Sequence, residues 1–351
     1  MDELDLAILR AVQKEFPLVP RPYEALGSML GVSAGEVFDR VSALRRFGVI
    51  RRIGPLFQSK KLGFRSFLVA ARVAPDAVEP VAQLLDRRAD VTHNYLRDGR
   101  FNVWFAVVLP GASHVRELER ILGDVRALPG VAEVRSFASR KVFKLDASFD
   151  VAGESPSPAH GKGGRGKGDR SLLCAAPFRA YRQKAPVPFS APVPFSGSMD
   201  ETDRRIVAGL ADGLPDSPTP WEDAAGSLGI ARDELMGRLE AMRRSGVLRG
   251  VRAVLDQRKL GLDANVLVAW VVPEERTDEV GKLFSLRREV SHCVLRDRAE
   301  DWPYTLYTMI HARTSAEAAS AVRELARTGG VADYVTLATL RELKKTPPRY
   351  C

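Results

Sequence analysis

The chain has 351 residues, 45% of them hydrophobic and 28% charged, which suits two or three domains with packed cores. Its longest apolar runs, such as Val103–Pro110, are of strand length and exclude a membrane span. The net charge of +9 fits any polyanion rather than nucleic acid alone, and part of the excess sits in the stretch GKGGRGKGDR.

The N-terminal MDELDLAILR lacks a basic region followed by an apolar one, so no signal peptide is expected. Cys174, Cys293 and Cys351 are scattered without C-x-x-C spacing. That argues against a disulfide framework or a structural zinc site, and for reduced thiols in a cytoplasmic protein.

In chain order, residues 2–14 carry helical periodicity, and prolines 17, 20 and 22 interrupt it. A second helix covers 22–31. Ser33 caps a third, with Glu36 placed to complete a capping box, and Gly48 ends it. IRRIG then begins a short wing, completing a winged helix-turn-helix. Strands follow at 66–73, 91–97, 101–109 and 131–145, with helices at 78–87 and 114–127. That β-α-β-β-α-β order is a ferredoxin-like sandwich. Residues 151–197 are rich in Gly, Pro, Ser and Lys, with the near-repeat VPFSAPVPFS, and read as a disordered linker.

The sequence then repeats itself. Leu44–Arg51 (LRRFGVIR) matches Met242–Arg249 (MRRSGVLR), 198 positions on, and Ser59–Gly63 matches Gln257–Gly261 at the same spacing. Val91-Thr92-His93 matches Val290-Ser291-His292, 199 positions on. A near-constant separation through several motifs indicates duplication. The expected fold class is therefore α+β, a tandem of winged helix-turn-helix (1–62) plus ferredoxin-like domain (63–150). After the linker come a degenerate winged helix-turn-helix (198–260) and a second ferredoxin-like domain (261–346).

This pairing of domains, with its LDxxIL, GVIRR and LG landmarks, resembles the Lrp/AsnC family of transcription regulators. A DNA-reading helix needs polar or basic side chains at its groove-facing start. Here the helices after Ser33 and Ala231 open with acidic turns, Glu36 and then Asp233-Glu234. DNA binding is therefore not expected.

The most distinctive segments are the strands V-T-H-N-Y-L-R and V-S-H-C-V-L-R. Alternation puts His93, Tyr95 and Arg97 on one face, and His292, Val294 and Arg296 on another. A lone strand histidine is more often a satisfied polar residue than a ligand. Aromatic strands more often pack a core, and Arg51 and Arg52 could be a solvated wing. His114 and His160 fit that bland class. What argues otherwise is the duplicated His-x-x-x-Arg pattern beside Trp104 and beside the aromatic run Trp302–Tyr307, read as a strand ending at His311. Imidazoles, guanidiniums and broad aromatic surfaces suit a flat, carboxylate-rich tetrapyrrole carrying a metal.

FPLVPRPY, GVIRRIG and VTHNYLRDGRFNVWF, with VSHCVLRD and DWPYTLYTMIHA, are similar to the siroheme decarboxylases, an Lrp/AsnC-like family often built of two related subunits. The resemblance implies both subunit types in one chain, forming an internal pseudo-dimer, and leaves a homo-oligomer open. It implies non-oxidative loss of two acetate carboxyl groups from siroheme, giving 12,18-didecarboxysiroheme for haem or haem d1. No cofactor is implied beyond the iron that siroheme carries. His93, His292 and His311 would together supply the axial iron ligand and the proton donor. Arg51, Arg52, Arg97 and Arg296 would hold carboxylates, and Tyr95, Trp104, Trp302, Tyr304 and Tyr307 would wall the pocket. Cys293-Val294-Leu295 and Arg249-Gly250-Val251 depart from the first-half pattern. A DNA-binding regulator and a non-catalytic tetrapyrrole-binding protein are the alternatives.

Overall fold

The computed structural model describes residues 1–146, 148–149, 199–299 and 301–350; the expected linker lies outside them. The first half contains α1 (Glu3–Lys14), α2 (Pro22–Leu30), α3 (Ala34–Arg46), β1 (Ile50–Phe57), β2 (Phe64–Val73), α4 (Val78–Asp86), β3 (Val91–Arg97), β4 (Val103–Pro110), α5 (His114–Arg126) and β5 (Val131–Leu145). The second repeats it with α6 (Glu201–Gly209), α7 (Pro220–Leu228), α8 (Arg232–Ser245), β6 (Leu248–Leu255), β7 (Ala264–Trp270), α9 (Thr277–Ser285), β8 (Val290–Arg296), β9 (Leu306–Ala312), α10 (Ser315–Gly329) and β10 (Tyr334–Lys345).

The duplication extends to individual contacts. Asp2 caps α1 in a capping box with Asp5, and Arg40 of α3 ties both down at 2.7 and 3.0 Å. Asp200 caps α6 with Asp203, and Arg238 of α8 ties both down at 2.8 and 3.0 Å. Arg40 and Arg238 are thus committed within their own headpieces. Ser33 accepts from the Glu36 N–H as expected, but the Glu36 carboxylate turns to Arg40 at 3.3 Å. An ion pair one helical turn away competes with the reciprocal bond of the box.

The two headpieces share one core, in which Ile8, Val12 and Phe16 pack with Ile206, Trp221 and Leu239. The strand expected as a wing is likewise shared. β1 pairs antiparallel with β6, matching Ile53 with Ala253 and Gly54 with Arg252. The loop after α6 also meets β1: the Leu214 N–H donates to the Ile53 carbonyl at 2.7 Å, and Gly213, at φ 102°, permits the approach, since a Cβ there would lie 2.6 Å from that oxygen.

The two ferredoxin-like sheets join edge to edge into one closed barrel, in the order β10-β3-β4-β2-β5-β8-β9-β7. The seams are β5 with β8 and β10 with β3, each between halves. Closure removes the open edges that separate sheets would leave. Alternation sends Val69, Val91, Phe105 and Val107 outward into a core with Val81 and Leu85 of α4 and Ile121 and Val125 of α5. The second half does the same with Val268, Val290 and Leu306 against Val280, Phe284 and Val322. Lys344 donates from Nζ to the Leu85, Asp86 and Arg88 carbonyls, and Lys144 to that of Arg287. Each half thus caps a helix C-terminus of the other with a cation.

One strand differs from expectation. β9 starts at Leu306, so Trp302 and Tyr304 lie in the preceding loop, with Trp302 bridged to Ala299. Pro303 has no N–H to give a ladder.

Candidate functional site

The site grows from the inward faces of β3 and β8. Tyr95 lies opposite Trp104 and His93 opposite Ala106, while Val294 lies opposite Tyr307 and His292 opposite Met309. Directly opposed residues share a face. Along β3 and β8 the inner faces therefore carry an imidazole first, then Tyr95 or Val294 opposite an aromatic of the next strand, and an arginine at the last residue.

At the far end, Trp104, Phe137, Trp302 and Tyr307 form one cluster with Ala70, Phe101 and Leu337. Their polar atoms are satisfied within it. Trp104 Nε1 donates to the Phe101 carbonyl at 2.7 Å, and Trp302 Nε1 to the Tyr307 hydroxyl at 2.9 Å. Tyr304 joins through its ring, 4.7 Å from that of Trp302. The expected aromatic wall is thus a packed floor.

Arg97 and Arg296 lie above that floor. Arg97 is 1% exposed and donates to the Leu337 carbonyl at 3.1 Å and Thr339 Oγ1 at 2.8 Å, with its guanidinium 4.8 Å from the Tyr95 ring centroid. Arg296 donates to the Phe137 carbonyl at 3.2 Å. The Nε of each lacks a hydrogen-bond partner. Burial lowers both to about 10, so both stay charged at neutral pH. Neither pairs with a carboxylate among the described residues. A buried cation left without an anion costs on the order of several kcal/mol.

The three imidazoles lie at the headpiece end. His93 Nδ1 is 2.9 Å from Thr92 Oγ1, and His292 Nδ1 is 2.8 Å from Ser291 Oγ. Ser291 Oγ also lies 2.9 Å from His311 Nε2, while His311 Nδ1 has no partner. Ser291 has one hydrogen to give, so at least one of its two imidazoles must donate into it. That imidazole then presents an unprotonated nitrogen on its other side. Burial lowers His93 and His311 to about 3 and His292 to about 4, and neighbouring cations add to it: Lys345 for His93 and His292, and His292 then Lys345 for His311. All three are neutral at physiological pH, the form in which imidazole ligates a metal.

The other expected arginines sit differently. Arg51 is held by Asp256 at 2.7 Å and Glu342 at 2.9 Å, a bridge from β1 to the second half. Arg52 is largely buried with Nη1 unpartnered, and burial lowers it. The structure thus brings together His93, His292, His311, Tyr95, Arg97 and Arg296, with the aromatics beneath, and leaves Arg51 in an ion-pair network at the rim. His114 bonds the Gly111 carbonyl at 2.7 Å, as its bland reading implies.

Sequence reasoning missed Thr92, Ser291, Lys345 and Phe149. The hydroxyls were visible as the residue before each histidine in both repeats. Lys345 becomes visible only once β10 is placed beside β3. Phe149 packs edge-on to His311, with ring centroids 5.1 Å apart, and its N–H donates to Gln13 Oε1 at 2.7 Å. Beside it a cleft of about 240 Å3 opens among Arg10, Gln13, Lys14, Asp146, Ser148 and Arg252.

Comparison with known proteins matches both layers of this architecture, twice. A family model for the AsnC-like ligand binding domain matches residues 61–144 and 259–344, and one for the siroheme decarboxylase NirDL-like HTH domain matches 5–51 and 203–249. The siroheme decarboxylase of Hydrogenobacter thermophilus is 28% identical over 343 residues, 98% of this chain and 93% of that one. The siroheme decarboxylase alpha subunit of Oleidesulfovibrio alaskensis is 43% identical over 151 residues, 43% of this chain and 90% of that one. The crystal structure of the siroheme decarboxylase NirDL in complex with an iron-uroporphyrin III analogue superposes with a TM-score of 0.66 at 25% identity, covering 98% of this chain and 94% of that one.

Proposed function

The chain belongs to the siroheme decarboxylase family, with two related subunits fused in one, and on that premise we propose that it decarboxylates siroheme inside the barrel. Two acetate side chains lose CO2 without oxidation, giving 12,18-didecarboxysiroheme for haem or haem d1 synthesis. The observation that carries this reading is the convergence, on the barrel's inward faces, of three neutral imidazoles with buried Arg97 and half-buried Arg296, neither of which pairs with a carboxylate among the described residues.

Arginines without carboxylate partners among the described residues are preorganised for carboxylates, which they bind in a two-pronged fork. Arg97 and Arg296 hold the substrate's acid groups, and the dry aromatic floor keeps water from competing. At each acetate the bond to the carboxyl carbon breaks and CO2 departs, leaving its electron pair on the methylene carbon. One proton then converts that carbon to methyl, so each siroheme consumes two protons. The carboxylates also raise the affinity of the imidazoles for protons, reversing the effect of burial. His93, His292 and His311 collectively supply the axial ligand to the substrate iron and the proton donor. No cofactor beyond that iron is required, and the chain works in the cytoplasm as an internal pseudo-dimer.

The headpieces act as scaffold, because Arg40 and Arg238 are committed to their own helix caps. Anaerobic incubation with siroheme tests the proposal. Mass spectrometry should record the loss of two CO2 per molecule; bound but unchanged siroheme would identify a carrier instead.

A further inference from the structure

The two halves place their last strands in the same register, and among the seam pairs a charge stands on one side alone at Glu342 against Val142 and at Lys345 against Leu145. Lys344 and Lys144 are twins, each spent on the other half's helix end. The next residues are Lys345 and Leu145. Lys345 lies directly opposite His93 across the β10–β3 seam, and Leu145 directly opposite His292 across the β5–β8 seam. Opposed residues share a face, so the ammonium stands on the imidazole side of the barrel wall.

That ammonium is poorly satisfied. Its side chain is 17% exposed, its nearest carboxylate oxygen is Glu342 Oε2 at 3.8 Å, and Glu342 is already engaged by Arg51 at 2.9 Å. Among the described residues it donates to the neutral Gln257 Oε1, at 3.0 Å. Three donors on Nζ leave capacity for an incoming anion. After burial, Lys345 is also the largest influence on both His93 and His292, and it reaches His311.

A barrel built from two similar halves offers a disc-shaped substrate two orientations, related by the pseudo-twofold. Only side chains that differ between the halves can tell them apart. His311 against Val108 and Tyr95 against Val294 differ in shape and polarity; Lys345 against Leu145 differs by a full charge. We propose that Lys345 binds a carboxylate of the tetrapyrrole and so fixes which edge of the ring meets which half. This rests on the decarboxylase reading above.

The experiment compares the full chain with Lys345→Met, which keeps the aliphatic stem and removes the charge, with Lys345→Arg, and with the exchange Lys345→Leu/Leu145→Lys. Affinity for iron-uroporphyrin III is read by optical titration, and the first-formed monodecarboxylated isomer by NMR of an anaerobic time course. Lys345→Met should weaken binding by about tenfold, the loss of one charge-assisted contact, and should yield both monodecarboxylated isomers where the parent gives one. Lys345→Arg should stay close to the parent, and the exchange should favour the opposite isomer. Circular dichroism checks folding, and the Arg variant keeps the test decisive if Met unfolds: loss of affinity and of isomer preference in folded Lys345→Arg would overturn the proposal. So would unchanged affinity and isomer ratio in Lys345→Met. If the parent does not turn over siroheme, the decarboxylase reading fails, while the titration still decides whether Lys345 binds the tetrapyrrole.

Discussion

The first-half strands β3 and β4 and the second-half strands β8 and β9 are the same structure carrying different chemistry. Both end a strand on an arginine, Arg97 and Arg296, and both set a hydroxyl against the Nδ1 of a histidine. Beyond that they part. Ser291 serves two imidazoles, His292 and His311, whereas Thr92 serves His93 alone, Val108 occupying the place of His311. The shared features place charge and orient the rings; the divergent ones make the two inward faces unlike. A fused pair of unlike halves can specialise in this way because each seam of the barrel joins one strand from each.

The largest effect should separate the halves directly. His93→Ala, His292→Ala and His311→Ala should each reduce anaerobic turnover of siroheme by about a hundredfold or more, the usual worth of a positioned acid or ligand. The cycle between them is more telling. His292→Ala and His311→Ala share Ser291, so their double variant should cost little more than either single one, while combining either with His93→Ala should cost more. Additive losses for the Ser291 pair would mean that its bridge has no catalytic consequence.

A smaller effect is expected from the arginines, in opposite directions on binding and stability. Arg97→Met and Arg296→Met remove a buried cation that lacks an acid, so the substrate-free protein should melt no lower than the parent. KM for siroheme should rise by about tenfold for each. Equal KM values would remove the arginines from the carboxylate sites, and a large fall in Tm would show them to be structural.

The smallest effect is on stability against pH. The folded chain holds His93 and His311 at about 3 and His292 at about 4, below the ordinary imidazole value, chiefly through burial. Between pH 6.5 and 4 the unfolded chain binds protons that the folded chain refuses, so stability should fall as pH drops through that window. Replacing both His292 and His311 with Gln should flatten the slope more than His93→Gln does, because the second half holds two of the three groups. A slope unchanged by either variant would show that these imidazoles do not titrate as buried groups.

Much of this was legible in the sequence. β3 and β5 fall where alternation put them, at Val91–Arg97 and Val131–Leu145, and the duplicated landmarks mark the two halves. That His93 shares a face with Arg97, and His292 with Arg296, followed from period-two alternation. The closure of two sheets into one barrel did not, because its seams join residues about two hundred positions apart and no local pattern encodes them. For the same reason β1 and β6 read as separate wings, although each is the other's partner. Trp302 and Tyr304 read as strand because aromatic content outweighed Pro303, and Arg51 read as free because Asp256 and Glu342 come from distant segments.

That the barrel removes acetate carboxyl groups from siroheme is the proposal on which the rest depends, and isotopic labelling tests it most directly. Siroheme carrying 13C in its acetate carboxyls, incubated anaerobically with the full chain, should release two labelled CO2 per molecule and retain all its propionates. Release of unlabelled CO2, or none from siroheme that is demonstrably bound, would contradict it.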